Sequence, residues 1–436
     1  MIWVRNLRLV FYLIIVGATH SAFAELTLEQ VMKRAVEHHP ILQAGQYAEM
    51  SQQQNERVSQ SSYYPKISAM ALATTGFPGS AGATGVAGLM VSPYHKGPTA
   101  GLVLEQNVWD FGRTSDSVHL AERETDLSKK DTLVSGLKVG QTAQEVYFLC
   151  SRDRSLADVY GRITSESELV QKEVDNFVRV GQRSVVDRYL SKSQTEEVRT
   201  LAEDYKKRFE LDNQRLAYLI GQQGAEPLCP LLDERAIEQS MIMSPTLNSP
   251  FLAQAEAQTE VSRTQKSLAK KDFNPKIVGL ASAGWINNTE LGIPTQNYSA
   301  AIAVILPLFE GFKTVSQVKQ FEYRTIQNEK NTDATRFGIE DANLNYDRAI
   351  ESARLRISHV KDELRIAETG FQTAKERYFD LQGDLVDLRE AIRNLARTSS
   401  ELKIALYDLA TQSTGKALLN GQWNQVISSI PSRPLQ

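Results

Sequence analysis

The chain contains an internal duplication, and this repetition constrains its fold more than any other feature. Pro40 and Pro65 are 25 residues apart, and Pro250 and Pro275 have the same spacing. The second proline of each pair begins the same tripeptide, Pro-Lys-Ile. Related segments also recur at an offset of 200 residues: 107–110 with 307–310, and 219–222 with 419–422. Two tandem copies of one unit of roughly 200 residues are therefore predicted.

The first 24 residues have the pattern of a secretory signal peptide. Arg5 and Arg8 precede an apolar run over residues 9–18, and Ala22-Phe23-Ala24 is a small-x-small cleavage site. This run is shorter than the ~20 residues that a membrane-spanning helix needs. The predicted organisation is a signal peptide at 1–24, a first repeat at 25–230, a second repeat at 231–426 and a C-terminal tail at 427–436.

Charge and hydropathy exclude several classes of protein. The formal net charge is −3, and removing Arg5 and Arg8 with the signal peptide makes it −5. This mild acidity argues against a nucleic-acid partner, which would select a basic surface. No second apolar run of about 18 residues follows, so the sequence predicts no transmembrane helix.

Two long windows contain no proline, between positions 98 and 227 and between positions 307 and 431. Both are rich in strong helix formers, and a proline inside a helix would cost about 3 kcal/mol or more. A helix from Arg113 to about Val180 would be about 100 Å long. Turn signals at Gly181 and Gly383 interrupt the two windows. Each window is therefore predicted to form a long helical hairpin with its tip at the glycine.

Between the helical parts of each repeat, four segments poor in charge predict β-strands. They are Pro65–Thr75, Thr99–Val108, Pro275–Ile286 and Tyr298–Leu306, joined by loops at 76–97 and 287–297. Strands of about 9–11 residues can cross a membrane when tilted, but the smallest membrane barrels have eight strands. Because lipid-exposed strand edges are not tolerated, several chains must contribute strands to one barrel.

Aromatic residues are placed where the interfaces of such a barrel would lie. Most stand at the junctions of strands and helices, and Trp285 stands toward a loop. The predicted interface aromatics are Tyr63, Tyr64, Trp109, Phe273, Phe309 and Trp285. Girdles of aromatic residues at both edges of the apolar band are typical of membrane barrels. The alternative is that these side chains cap a soluble sheet.

Taken in order, these features resemble the TolC-type outer-membrane export channels. The resemblance covers about residues 25–421 and includes the opening Leu-Thr-Leu-Glu-Gln-Val segment at 26–31 and the Pro-Leu-Phe-Glu-Gly run at 307–311. It implies a mainly α-helical homotrimer with a membrane β-barrel of twelve strands, continued across the periplasm by a barrel of twelve long helices. The expected location is the outer membrane of a Gram-negative cell, in contact with its lipid.

The resemblance also implies an acidic ring at the periplasmic aperture. Asp387, Glu390 and Tyr378 match positions that line this mouth in the family. Asp387 and Glu390 are three residues apart, so one helical face carries both. Three copies would place six carboxylates around the channel axis and favour cations. The alternative for the two acids is an ordinary solvated helix face.

The gate and the docking sites follow from the same resemblance. Where the family commonly has a basic gate residue, this chain has Gly383. The latch is therefore missing or differently made, and Arg183 or Arg188 of the other hairpin could replace it. The hairpin tips at Gly181 and Gly383 are the expected docking sites for a periplasmic adaptor.

Cys150 and Cys229 are the only cysteines in the chain. Counting residues along the predicted helices places both in the middle of the molecule, about 46 and 60 Å above the tip. Disulfides form readily in the oxidising periplasm, so the sequence predicts a bond between them. Neither cysteine has a histidine nearby in sequence, which argues against a catalytic thiol.

No metal-ligand, phosphate-binding or nucleophile motif is present in the sequence. We therefore expect no enzymatic activity, no metal and no cofactor. Since the chain has no nucleotide site, a separate inner-membrane pump must energise transport through the adaptor. ATP-binding and proton-driven pumps, and protein or drug cargo, remain open. The main alternative function is a periplasmic coiled-coil scaffold without channel activity.

Overall fold

The computed structural model describes residues 26–74, 97–222, 228–232, 237, 249–288 and 293–422. The predicted signal peptide, most of the first loop at 76–97 and the C-terminal tail at 427–436 lie outside these residues.

Each repeat begins with helices and ends in a long helical hairpin. A capping box of Thr27 and Gln30 starts the first helix. The elements in chain order are α1 (Leu28–His38), α2 (Pro40–Gln60), β1 (Lys66–Thr74), β2 (Gly97–Trp109), α3 (Arg113–Arg179), α4 (Val185–Leu219), α5 (Pro250–Lys271), β3 (Lys276–Asn288), β4 (Ile293–Ile305), α6 (Lys313–Phe379) and α7 (Leu385–Leu419). The predicted order of helix, two strands and hairpin is present in both halves.

The four strands form one antiparallel sheet in the order β1-β2-β3-β4. Lys66 pairs with Glu105, and Lys276 pairs with Ile305. The loop between β3 and β4 is shorter than the predicted loop at 287–297. The two strands remain paired as far as Asn288 and Ile293, because the ladder continues through polar residues that the composition assigned to a loop. Within the described residues, β1 and β4 are the sheet edges.

The two long hairpins have matching dimensions. Helices α3 and α6 each contain 67 residues, and α4 and α7 each contain 35. At 1.5 Å per residue, α3 and α6 are each about 100 Å long. The principal helix contacts run in the order α4-α3-α7-α6, so α4 and α6 form the two sides of the array. Helices α2 and α5 pack against α3 and α6, respectively, near the sheet.

The chain passes from strand to helix through two consecutive residues in the left-handed region at both junctions. Phe111 and Gly112 have φ values of 54° and 82°, and Gly311 and Phe312 have values of 60° and 65°. Left-handed backbone is unfavourable for a bulky side chain. Both phenylalanines are also exposed.

The core divides into two clusters along the helical part. The larger cluster joins α1 to the middle of α3 and α7, with Met32, Tyr147 and Leu406 fully buried. The smaller cluster lies near the hairpin tips and includes Val174, Tyr378 and Leu388. Two separated clusters are consistent with an elongated body in which the hairpins meet at more than one level.

Candidate functional site

The two hairpin tips use related turns with different residues at the critical position. Gly181 has φ +78°, and the corresponding residue 200 positions later is Leu381, with φ +63°. Gly383 lies in the turn between α6 and α7, as predicted, but Leu381 takes the left-handed conformation there. Ser184 and Asp384 cap the returning helices. Their side chains accept hydrogen bonds from the backbone N–H groups of Val186 and Val386, respectively.

Glycine is favoured at position 383 because a side chain there would crowd the backbone of the turn. A Cβ atom at this position would lie 3.0 Å from the backbone nitrogen of Tyr378 and 3.1 Å from the carbonyl carbon of Arg377. The Gly383 N–H donates to the Arg377 carbonyl at 2.8 Å, which holds the turn closed. At the offset of 200 residues, the first-repeat counterpart of Gly383 is Arg183.

Arg183 crosses from the first hairpin to the second. Its Nη2 atom donates to the carbonyl oxygens of Tyr378 and Gly383, at 3.0 and 2.8 Å. The guanidinium also lies 4.4 Å from the centre of the Tyr378 ring. Hydrogen bonds to two carbonyls and a cation–π contact thus link Arg183 to the turn that contains Gly383.

Tyr378 lies between the two tips and not on an open face. Its side chain is fully buried, and its hydroxyl donates to Asp187 Oδ2 at 3.2 Å. Burial, followed by the nearby Asp187 carboxylate, raises the pKa of Tyr378 well above its usual range. The tyrosine is therefore neutral and serves as a hydrogen-bond donor to the first hairpin. Its burial contrasts with the exposure of Asp387 and Glu390, the two acids with which it was grouped.

Asp387 and Glu390 are exposed on α7, on the side opposite the buried residues Leu385 and Leu388. Asp387 also borders an open groove of about 700 Å³ between α6 and the second tip. Small residues of α6 form part of the lining of the groove, and the other lining residues are longer or charged. The lining consists of Arg365, Ile366, Thr369, Gly370, Thr373, Ala374, Arg377, Gly383, Asp384 and Asp387.

The other candidate gate residue, Arg188, stays within its own hairpin. Its Nε atom donates to Asp175 Oδ1 at 3.0 Å, and this ion pair joins α4 to α3. Farther from the tips, two ion pairs cross between the hairpins. They are Lys375–Glu166 and Arg393–Glu197, each with a nitrogen–oxygen distance of 2.9 Å. Sequence reasoning missed both pairs, because helix-to-helix contacts are not visible from spacing along one helix.

Cys150 and Cys229 are joined by a disulfide bond, with Cα atoms 6.1 Å apart. The bond fixes the segment 228–232 to the middle of α3. Arg154 of α3 donates to the Cys229 carbonyl at 2.6 Å, and the Leu232 N–H donates to the Tyr407 hydroxyl at 3.3 Å. The segment therefore contacts both long hairpins.

The six aromatic residues that are predicted to lie at a membrane interface are exposed in the structure. The exposed fractions are 53% for Tyr63, 69% for Tyr64, 59% for Trp109, 48% for Phe273, 73% for Phe309 and 38% for Trp285. Sequence reasoning missed Phe111 and Phe312, although each stands beside a glycine at a strand–helix junction.

Within the described residues, no cluster of His, Cys, Asp and Glu has the arrangement of a metal site. The described helices also include none with the length and hydropathy needed to cross a membrane.

Comparison with known proteins identifies the fold. Residues 244–419 match the family model of outer membrane efflux proteins. VceC from Vibrio cholerae is 16% identical, with a TM-score of 0.75 over 90% of this chain and 96% of its own. CmeC from Campylobacter jejuni is 17% identical, with a TM-score of 0.72 over 92% and 87%. The open state of MtrE from Neisseria gonorrhoeae is 16% identical, with a TM-score of 0.72 over 90% and 88%. No curated protein sequence matches the chain.

These comparisons confirm the predicted fold class, and the family model agrees with the predicted family over residues 244–419. The family match favours an outer-membrane channel over a periplasmic scaffold. Residues 244–419 thus match the family of outer membrane efflux proteins, and the chain has the fold of the TolC-type outer-membrane channels.

Proposed function

We propose that the chain forms the outer-membrane exit duct of a tripartite export system. The observation that carries this proposal is the continuity of an open-edged sheet with two helical hairpins about 100 Å long. The sheet supplies a wall suited to the membrane, and the hairpins supply a wall long enough to extend into the periplasm. The duct is passive and has no catalytic role.

The duct is a homotrimer. Strands β1 and β4 leave unpaired edges, and a strand edge in contact with lipid has no hydrogen-bond partners. Four strands are too few to close a barrel, whereas three copies provide twelve. Pairing β4 of one copy with β1 of the next removes every edge and creates a closed ring with three-fold symmetry.

Arg183 forms the latch between the two hairpin tips. Its contacts with Tyr378 and Gly383, together with the Tyr378–Asp187 hydrogen bond, must break when the second tip moves away from the first. The first repeat thus supplies the basic residue that the second repeat lacks at Gly383. Arg188 is excluded from this role by its ion pair with Asp175 in the same hairpin.

Asp387 and Glu390 form the acidic lining of the periplasmic aperture. Both are exposed near the second tip and can approach their copies in neighbouring subunits. Six carboxylates at one level would attract divalent cations. Replacing both residues with alanine should weaken block of the channel by divalent cations, while leaving the Arg183 contacts intact.

The duct is energised from the inner membrane by a transporter of the ATP-binding or proton-driven class, linked through a periplasmic adaptor. We infer that the adaptor docks at the tips near Gly181 and Gly383, where the lining of the groove beside α6 includes several small side chains. A helical hairpin of the adaptor can approach such a surface closely, because small residues let helix backbones come together.

Gly370 provides a specific test of adaptor docking. A Cβ atom at this position meets no other atom within 4 Å, and the same is true of Gly338 on the same helix. Gly370→Leu should fill the groove and reduce adaptor binding, while Gly338→Leu should leave it unchanged. Trimeric mass and copurification of the adaptor are measured for both variants. Equal adaptor recovery from the two variants would remove the groove as a docking site.

The channel itself is tested with detergent-purified protein in planar lipid bilayers. We expect a trimeric mass in detergent and stepwise ion conductance after insertion. The periplasmic scaffold alternative predicts solubility without detergent and no conductance. A monomer that is soluble in plain buffer would exclude the proposed duct.

A further inference from the structure

The two faces of the sheet differ sharply in character. Cross-strand partners share a face, so the pairing registers assign each described side chain to one side. One face carries residues such as Ile67, Leu102, Trp285, Ile302 and Val304, with no charged residue. The three charged strand residues, Lys66, Glu105 and Lys276, all lie on the opposite face. In a membrane barrel, the uncharged face contacts lipid and the charged face lines the lumen.

The charged face borders a cavity where the sheet meets the long helices. We call this the neck cavity; it has a volume of about 480 Å³. Lys66, Glu105 and Lys276 enter it from the strands, and Lys313 enters it from the first turn of α6. The cavity therefore lies on the lumenal side at the level where the barrel continues into the helical tube.

Two other cations at the neck cavity are already neutralised. Arg113 Nε lies 2.5 Å from Asp272 Oδ1, and Lys271 Nζ lies 2.9 Å from Asp116 Oδ1. Lys271 also donates to the Gly112 carbonyl. These pairs hold α3 against the end of α5 and have little capacity to bind a further anion.

Two acids at the neck cavity accept hydrogen bonds at the N-termini of helices. Asp110 accepts hydrogen bonds from the backbone N–H groups of Gly112 and Thr114, at the beginning of α3. Glu310 accepts a hydrogen bond from the Thr314 hydroxyl, at the beginning of α6. The positive end of each helix dipole offsets part of these negative charges.

Three lysines remain without a partner in the part of the chain that the structure describes. The side chains of Lys66, Lys276 and Lys313 form no hydrogen bond or ion pair there, although Lys66 is the register partner of Glu105. Among the acids that line the cavity, Glu105 neither caps a helix nor forms an ion pair in the described chain. Unpaired cations therefore exceed unpaired acids around one lumenal cavity.

The internal repeat explains why Lys313 stays unpaired. Lys313 corresponds to Arg113 at the offset of 200 residues, and Arg113 pairs with Asp272 of the second repeat. The two Pro-Lys-Ile segments are related by an offset of 210 residues. At that offset, Ser62 is the first-repeat counterpart of Asp272. If a neighbouring copy continues the same symmetry, Lys313 faces a hydroxyl group instead of a carboxylate.

We propose that the neck cavity is an anion-binding subsite of the duct, formed by Lys66, Lys276 and Lys313. It suits cargo that carries several phosphate, sulfate or carboxylate groups close together. This inference rests on the proposed channel function. The subsite would act in series with the acidic aperture and reduce the preference for cations that the aperture alone would impose.

Block of single-channel current by tripolyphosphate tests the subsite. The anion is added to the β-barrel side of planar bilayers that contain the full trimer. We expect reversible block of the wild type and block about fivefold weaker for each lysine replaced by glutamine. The triple Lys→Arg variant should retain block, because its charges are kept. Lys330→Gln, an exposed lysine of α6 that pairs with Asp333 outside the cavity, is the control and should match the wild type.

The outcomes separate the subsite from the channel. Conductance without tripolyphosphate block, or equal block of the wild type and the triple Lys→Gln variant, overturns the subsite and leaves the channel. Absence of conductance from the wild type overturns the channel itself. If the triple variant fails to assemble, Lys313→Gln alone replaces it, and block equal to that of Lys330→Gln then refutes the proposal.

Discussion

Removing the guanidinium of Arg183 should open the duct. The change is Arg183→Gln, which deletes the hydrogen bonds to the Tyr378 and Gly383 carbonyls and the cation–π contact with the Tyr378 ring. The buried hydrophobic cluster around the tips remains, so the hairpins should keep their own structure. The expected result is a channel that spends more time open.

The magnitude follows from the contacts. Two hydrogen bonds from one charged nitrogen contribute roughly 2–3 kcal/mol together. The cation–π contact adds about 0.5–1 kcal/mol. The buried Nε atom of Arg183 has no hydrogen-bond partner in the described chain, which costs about 1 kcal/mol. The net contribution is about 2 kcal/mol per subunit, so the ratio of open to closed tips should rise about 30-fold.

Single-channel recording in planar bilayers measures this effect as open probability at a fixed low voltage. The matched control is Arg188→Gln, which removes the same charge five residues away but breaks an ion pair inside one hairpin. Thermal unfolding and trimeric mass verify that both variants are folded. If the Arg183 and Arg188 variants have the same open probability, the latch argument is wrong.

Three further changes probe stability by thermal unfolding of the detergent-solubilised protein. Leu381→Gly should stabilise the second tip by about 1 kcal/mol, since it removes a left-handed leucine; a lower melting temperature would contradict this. Replacing Cys150 and Cys229 with serine should destabilise the protein by roughly 2–5 kcal/mol, and an unchanged melting temperature would argue against a structural role. The pKa of Asp212 is raised, chiefly by burial and next by the nearby Asp153 carboxylate. This acid therefore stabilises the folded state below its unfolded pKa, and the stabilisation is lost as pH rises through its folded pKa. Asp212→Asn should therefore stabilise the protein near pH 7 but not near pH 3, and equal effects at both pH values would refute the assignment.

The architecture could be predicted from the sequence because it depends on strong local rules. Proline cannot occupy a helix interior, so the proline-free windows delimit the long hairpins. The Pro-Lys-Ile segments mark the start of a strand in each repeat. Even the disulfide followed from counting helical residues from the tips to Cys150 and toward Cys229. Each of these inferences needs only backbone geometry and chain length.

The site was harder to predict because it depends on contacts between distant segments. Composition favours Gly383 as the turn residue, whereas the left-handed position is occupied by Leu381, whose backbone N–H donates to the Tyr378 carbonyl. Comparing positions 181 and 381 at the repeat offset would have located it. Burial of Tyr378 and its bond to Asp187 depend on how the hairpins meet, and no periodicity within one helix encodes that arrangement.

The neck cavity could be predicted from the sequence only in part. The alternation of side chains in a strand places Lys66 on one face of β1 and Lys276 on one face of β3. Whether those faces coincide depends on the pairing register through β2, which the sequence does not specify.

The equal lengths of the two hairpins restrict how this protein can evolve. One extra residue in a single long helix would raise its end by 1.5 Å and rotate every later side chain by about 100°. The Arg183 guanidinium would then miss the opposite turn, and the ion pairs above it would separate. Insertions and deletions should therefore persist among descendants of this gene only when both halves acquire them together, so that the reach of the tube changes in steps shared by its two repeats.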